Sequence, residues 1–431
     1  MDDNSENVTP TRKKLFGGLD EISRAVLWSS ALTAFFTAVA LIAVMYFFGL
    51  LSFSDAIRFR GGGHSVASVQ KLQQVWDSLS GDFYEPVDED KMIEYAAAAM
   101  ANSVGDVYTA YYTKDEMRRF TAHSAGVFYG VGVYVAPGDN GRLRVTSVFE
   151  GSPALEAGVR ADDEIVSVNG VPVEEIADND AVVSMIKGEA GTSVAIGFYR
   201  PSEDRVLELV IERREIKADN IFSRVIDAGG EGGFPIGYIY IAMFDGSAFE
   251  FFTRHLDKLL ESGVSALIID LRGNVGGDFE QTVKIAGRMI GSGMIVYTED
   301  RNGKREYREA NDTAPGLPLR VLINGNSASA SEILAGAIKD NGAGALVGVR
   351  TFGKGLVQAV LTLKDGAGLK YTRSRYFTPS GVCIQGSGIE PDIRVELPDR
   401  YKSASVAEIP PYDDAQLAAA IEDIEKTVNN D

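Results

Sequence analysis

One cysteine, Cys383, stands in 431 residues, so no disulfide can form within the chain and stability must come from core burial. Histidine is nearly as scarce. His64, His123 and His255 have no metal-ligand spacing, and no His-Glu-x-x-His occurs, so neither a resident metal nor any other cofactor is expected. Basic residues are in deficit: 42 Lys and Arg against 61 Asp and Glu leave a net charge of −19. Such a surface repels nucleic-acid phosphates and is not drawn to anionic lipid. The apolar fraction, 45%, is that of an ordinary folded protein, and the length suits two or three domains.

Against that background one charge-free stretch stands out, from Ala25 to Phe53. A bilayer-spanning helix needs about 20 apolar residues, so this segment reads as a single transmembrane helix. A cleaved signal peptide has a shorter apolar core and is the rival reading. Residues 1–24 form a polar tail expected on the cytoplasmic side, and 54–65, with Arg60-Gly-Gly-Gly-His-Ser65, form a linker. Val69, Leu72, Val75 and Leu79, then Ile93, Ala97, Met100 and Val104, recur at helical spacing and give a helical part over 66–124.

Short alternating strands follow. Val131, Val133 and Val135, then Leu143, Val145 and Val148, precede a strand that closes on an Asn169-Gly170 turn, a strong hairpin signal. The order over 125–214 resembles a PDZ domain. Such domains take a peptide C-terminus by strand addition and hold its carboxylate with backbone N–H groups. The capture loop would be Tyr129-Gly130-Val131-Gly132, and Val131, Val133, Val182 and Ile186 would wall an apolar pocket. The plain alternative is a hairpin with its core. Lys187 stands where some relatives of this type carry an arginine that senses bound peptide.

From 215 to 400 strands and helices alternate, as in an α/β core with its chemistry at the strand C-terminal ends. Val264–Leu271 is apolar almost throughout, the mark of a strand buried on both faces. The tail, 401–431, is polar apart from a short helix at Gln416–Ile421.

Two blocks carry the chemistry: Asn324-Gly-Asn-Ser-Ala-Ser-Ala-Ser-Glu-Ile333 and Thr351-Phe-Gly-Lys-Gly-Leu-Val-Gln358. A serine at a helix entrance with a nearby lysine can activate a hydroxyl without histidine. With Asp270-Leu-Arg-Gly-Asn-Val-Gly-Gly277, Gly151-Ser-Pro-Ala154, Thr378-Pro-Ser-Gly381 and Gly388-Ile-Glu-Pro-Asp392, they make the chain resemble the carboxy-terminal processing (tail-specific) peptidases. The likeness runs from about Val69 to Asp392. It implies a membrane-anchored serine endopeptidase with an inserted PDZ domain and its catalytic part outside the cytoplasm, acting on the apolar C-terminal tails of protein substrates. It also suggests a homodimer.

The resemblance places the nucleophile on Ser329, the lysine base on Lys354 and an orienting glutamine on Gln358. Backbone N–H groups of Ala330 and of Gly276, or its neighbour Gly277, would form the oxyanion site. Ser329-Ala-Ser-Glu332 equally fits a capping box, which starts many helices without catalysis. Ser327 and Ser331 are the nearest alternative nucleophiles. Gly105-Asp-Val-Tyr108 resembles a Gly-Asp-Pro-Tyr segment of the family and suggests no chemistry of its own. The rival function is a catalytically silent, membrane-bound PDZ adaptor that only binds protein C-termini.

Overall fold

The computed structural model describes residues 66–138, 140–228, 233–402 and 404–428. The chain divides into two compact units, 1–92 and 93–431. In the first, the described part is the helix Val66–Asp82 and the start of a helix at Glu89. The second holds everything else discussed below.

Its centre is a six-stranded sheet in the order Ile221–Ala228, Phe234–Ile241, Ala266–Asp270, Leu319–Ile323, Ala345–Gly348, Ile393–Arg394. The first pair is antiparallel and the remaining pairs are parallel. Strand Ala266–Asp270 is buried at all five positions, four of them apolar and the fifth an ion-paired Asp270. Leu267 and Ile269 face the helices Ala248–Glu261, Phe279–Ile290 and Ala330–Asp340. Ala266 and Ile268 alternate to the other face, where Leu417, Ala420 and Ile424 of the helix Ala415–Val428 cover them. Each Leu or Ile among them contributes about 1.5–3 kcal/mol when fully buried.

A second, antiparallel sheet joins Ala110–Tyr112, Gly368–Phe377, Ser292–Asp300 and Arg305–Asn311, with Leu356–Thr362 paired to Gly368–Phe377. An inserted β-rich part runs from Val127 to Lys217. Its sheet has Val133–Pro137 at one edge, then Leu143–Val148, Glu164–Val168, Ser193–Arg200 and Arg205–Glu212. Val145, Ile165, Val168, Ile196 and Phe198 form its core.

A buried ionic cluster fastens the C-terminal segment to the central sheet. The Arg272 guanidinium bonds Asp270 Oδ1 at 3.0 Å and Oδ2 at 2.6 Å, and both Asp414 carboxylate oxygens at 2.8 Å. It also reaches Gln416 Oε1 at 3.1 Å, and the Tyr238 hydroxyl donates to Asp270 at 2.7 Å. Burial works to lower the Arg272 pKa, but the two carboxylates outweigh it and hold the group charged.

The transmembrane helix expected over 25–53 is a correction, and with it the membrane-anchored fold class and the extracytoplasmic placement. Among the described residues no helix is long and apolar enough to cross a membrane. The longest, Val66–Asp82, has 17 residues and carries Lys71, Asp77 and Asp82 along its length, short of the roughly 20 apolar residues a span needs. The stretch 25–53 itself lies outside the described residues. What the fold does contain is the α/β core with the inserted β domain.

Arg272→Met leaves two buried carboxylates facing each other without a cation. Loss of one partner from a buried ion pair costs about 3–5 kcal/mol. A denaturant melt of the variant is expected to show that loss in the midpoint, with the slope unchanged.

Candidate active site

Two neighbouring parallel strands, Ala266–Asp270 and Leu319–Ile323, end on the same side of the sheet. Their following loops, 271–278 and 324–329, meet there. Ser329 sits at the turn from the second strand into the helix Ala330–Asp340, with φ 55° and ψ −112°. A non-glycine residue held there stores about 1–3 kcal/mol of strain and persists only where its surroundings fix it. A sharp strand-to-helix turn of this kind presents a serine hydroxyl to solvent, as the nucleophile elbow does on an unrelated fold.

The surroundings are specific. The Ala328 N–H and the Ser331 hydroxyl donate to the Asn274 carbonyl at 3.1 and 2.8 Å, and the Ser327 hydroxyl donates to the Leu271 carbonyl at 2.8 Å. Ser327 and Ser331 are fully buried in these roles, while Ser329 is partly exposed. The Tyr376 hydroxyl donates to the Ser329 carbonyl at 3.1 Å. Ser329 Oγ itself makes no cap hydrogen bond. One half of the capping box does close: the Ser329 N–H donates to Glu332 Oε2 at 2.9 Å, whereas the Glu332 N–H goes to the Ser329 carbonyl.

Glu332 does more than cap. Its buried carboxylate also accepts from the Lys354 N–H at 2.8 Å, the Gly353 N–H at 2.7 Å and the Thr351 hydroxyl at 2.6 Å. One side chain therefore joins the serine turn to the lysine loop. Ser329, Lys354, Gln358, Ala330 and Gly276 all line one cleft of about 490 Å³, with Phe120, Met243, Phe279 and Ile333 as apolar wall. A larger cavity of about 1000 Å³, walled by Met100, Val104, Leu363 and Leu369, contains neither Ser329 nor Lys354.

Lys354 and Gln358 line the cleft without engaging Ser329. The ammonium lies 4.4 Å from the Tyr108 ring centroid and, among the described residues, forms no hydrogen bond to Ser329 or Gln358. Burial pushes the amine below its ordinary value and the like charge of Lys370 pushes the same way, against the pull of Asp106 and Glu332. Gln358 Nε2 faces the Thr372 hydroxyl at 3.5 Å.

The two glycines also separate. Gly276 lies against the serine: a Cβ there would come within 2.9 Å of both Ser329 Cβ and the Ala330 nitrogen. Its φ of 107° is open to glycine alone. Its N–H, however, donates to Asn274 Oδ1 at 2.8 Å. Gly277 instead packs on the Phe244 carbonyl, 2.0 Å from a would-be Cβ. Among the described residues the N–H groups of Ala330 and Gly277 have no partner.

The inserted domain presents Val133–Pro137 as an edge strand, paired only with Leu143–Val148. Beside it, Gly130, Val131, Val133 and Ile186 line a small cavity of about 50 Å³ with Phe128, Val135, Val183 and Lys187. Val182 turns inward to the domain core, and Val183 takes the lining place. Tyr129 is exposed on the paired strand Val127–Gly130, and the Gly132 carbonyl accepts from the Phe149 N–H at 3.1 Å.

Comparison with known proteins settles the family. The model for peptidase family S41 matches residues 235–395, and one for a PDZ domain matches 144–200. The carboxy-terminal processing protease CtpB of Bacillus subtilis (strain 168) is 33% identical over 338 residues, 78% of this chain and 69% of that protein. CtpA of the same organism is 33% identical over 334 residues, 77% and 70% respectively. The chain belongs to the carboxy-terminal processing proteases of family S41. A solved structure of the photosystem II D1 C-terminal processing protease is also similar, at 29% identity and a TM-score of 0.48, covering 83% of this chain and 91% of that one.

This S41 chain is thus a serine-type peptidase with a PDZ domain. Gly105-Asp-Val-Tyr108, read as chemically silent, supplies the ring under Lys354 and a carboxylate beside it. The role of Asn274, and the reach of Glu332 beyond its own capping box, are invisible in the sequence, because those partners lie on other loops. A Ser-His-Asp chain does exist elsewhere: His255 Nδ1 meets Ser223 Oγ at 2.7 Å and Nε2 meets Asp219 at 3.1 Å. None of those three lines the Ser329 cleft.

Glu332→Gln places an amide NH₂ against backbone donors and removes the charge that all four share. Hydrogen bonds to charged groups contribute about 1.5–3 kcal/mol each, so the variant is expected to lose at least about 2 kcal/mol. Hydrogen exchange should quicken together at 327–333 and 351–355. Exchange quickening at only one of the two would contradict the linkage.

Proposed function

We propose that this protein is an endopeptidase that recognises the apolar C-terminal tail of a protein substrate with its PDZ domain and cleaves the chain with a Ser329–Lys354 dyad. The observation that carries this reading is the strained Ser329 turn, whose hydroxyl is left free by its own helix cap and faces a cleft shared with a half-buried lysine. Ser329 Oγ attacks the scissile carbonyl as Lys354, neutral, takes its proton. Lys354, now an ammonium, then protonates the leaving amine, which leaves an ester on Ser329. Neutral again, Lys354 takes a proton from the water that hydrolyses this ester and returns it to Ser329 Oγ. Gln358 orients the amine.

The Ala330 N–H and a glycine N–H of the 276–277 turn receive the developing oxyanion, aided by the positive end of the helix Ala330–Asp340. The partnerless N–H groups of Ala330 and Gly277 fit that task as they stand. Gly276 would first have to release Asn274. An incoming tail adds to the edge strand Val133–Pro137 and sets its last side chain among Val131, Val133 and Ile186. The 50 Å³ cavity there suits a small apolar residue. The acidic surface leaves the protein to work on polypeptides rather than nucleic acid. No cofactor enters this chemistry.

The reading requires Lys354 to be neutral, so turnover falls as pH drops through the lysine's lowered pKa. That limb should lie below the ordinary lysine value of 10.5. Cleavage of an unfolded reporter ending in Ala-Ala, with wild type beside Ser329→Ala and Lys354→Ala, tests it. Loss of at least about a thousandfold in kcat is expected in both variants, with tail binding retained. Activity surviving in Ser329→Ala would place the nucleophile elsewhere. Tail binding without cleavage by wild type would favour the adaptor.

A further inference from the structure

We infer that Tyr108 and Asp106 form a parking site that holds the Lys354 ammonium away from Ser329 in the resting enzyme. The inference rests on the proposed dyad and adds what keeps it apart. Tyr108 offers the face of its ring at 4.4 Å to the ammonium, a contact that attracts a cation and has little hold on a neutral amine.

The ring is itself held in place. Asp106 accepts from the Tyr108 N–H at 3.2 Å and the Thr109 hydroxyl at 2.7 Å, which closes the turn that aims the ring. The same carboxylate accepts from the Thr372 hydroxyl at 2.6 Å, tying that turn to the strand Gly368–Phe377. Thr372 is also the group that faces Gln358. The amide expected to orient the lysine is therefore turned toward the parking site as well.

The charges around Lys354 divide in sense. Asp106 and Glu332 favour the ammonium on the ring, and Lys370, itself 5.5 Å from the Tyr112 ring, disfavours it. His123, Asp245 and Asp278 line the rest of the cleft. The Gly276 N–H, held by Asn274, completes a resting state in which base, orienting amide and one oxyanion candidate are each engaged elsewhere. To reach Ser329, Lys354 must give up the ring, and losing its proton removes most of what holds it there. Tyr108 and Asp106 are thus positioning residues that act through Lys354 and oppose turnover.

The test uses the full chain with Tyr108→Leu, Tyr108→Phe, Asp106→Asn and Lys354→Ala. kcat and KM for the Ala-Ala reporter are read across pH. Separately, the reactivity of the Lys354 amine toward an acylating reagent is read by peptide mass spectrometry. Tyr108→Leu should raise kcat about two- to thirtyfold, the range a cation–π contact spans, with KM unchanged. Its acid limb should move to lower pH, because the stabilised ammonium is lost, and Lys354 should acylate faster at any given pH. Tyr108→Phe, which keeps the π-face, should restore the wild-type profile, and Asp106→Asn should shift it part of the way.

A Tyr108→Leu protein with wild-type or lower kcat and unchanged Lys354 reactivity would overturn the parking site while leaving the dyad intact. Full activity in Lys354→Ala would overturn the dyad itself, and the inference with it. The acylation readout does not depend on turnover, so it decides the matter even for a variant with impaired catalysis.

Discussion

Four donors converge on one buried carboxylate, and the site depends on it. Glu332 lies on the first turn of the helix that Ser329 caps, and takes the Ser329 N–H on one oxygen together with the Lys354 N–H. The other oxygen takes Gly353 and Thr351. Ser329 stands on a loop that leaves the central sheet, and Lys354 on a loop that enters the antiparallel one. A charged acceptor between their loops sets the distance between them more firmly than apolar packing could, because each donor would be orphaned by a shift. Thr351 extends the link by accepting from the Ile389 N–H at 2.7 Å.

A second constraint acts through Asn274. Its carbonyl holds the serine turn, its Oδ1 holds Gly276, and its Nδ2 donates to the Ile241 carbonyl at 2.8 Å. The glycine turn and the serine turn are thus referred to the same sheet edge. The loop at Phe244 then connects outward: the Phe244 N–H bonds the Gly276 carbonyl at 3.1 Å, and the Gly246 N–H bonds the Ser124 carbonyl at 3.0 Å, just before the inserted domain begins. The backbone turns of the cleft are tied by these bonds, whereas the Lys354 and Gln358 side chains line it without a hydrogen bond to Ser329.

The family resemblance picked out Ser329, Lys354 and Gln358 from two blocks of sequence, and all three line the same cleft. The strand Leu319–Ile323, apolar but for Arg320, and the helix Phe279–Ile290, with its 3.6 periodicity, follow from the sequence pattern. The strands Ser292–Asp300 and Arg305–Asn311 were not legible. They lie in the antiparallel sheet with one face exposed, and Glu299, Asp300, Arg305 and Glu306 break the pattern. The C-terminal helix runs Ala415–Val428, longer than the apolar stretch at Gln416–Ile421, because Ile424 extends its buried face. Tyr108 under Lys354 was beyond reach, since the two meet only in the folded chain. The charge-free segment 25–53 supported a spanning helix on hydropathy alone; it lies outside the described residues, among which no helix is long and apolar enough to cross a membrane.

The central claim is that Ser329, activated by Lys354, is the nucleophile. The most direct measurement is to trap it: treat the full chain with a serine-reactive phosphonate bearing a short apolar peptide, digest, and locate the adduct by mass spectrometry. The account predicts a single adduct on Ser329, formed faster as pH rises and nearly absent in Lys354→Ala. An adduct on Ser327, Ser331 or Ser223 would contradict it. So would Ser329 labelling at an undiminished rate in the Lys354 variant.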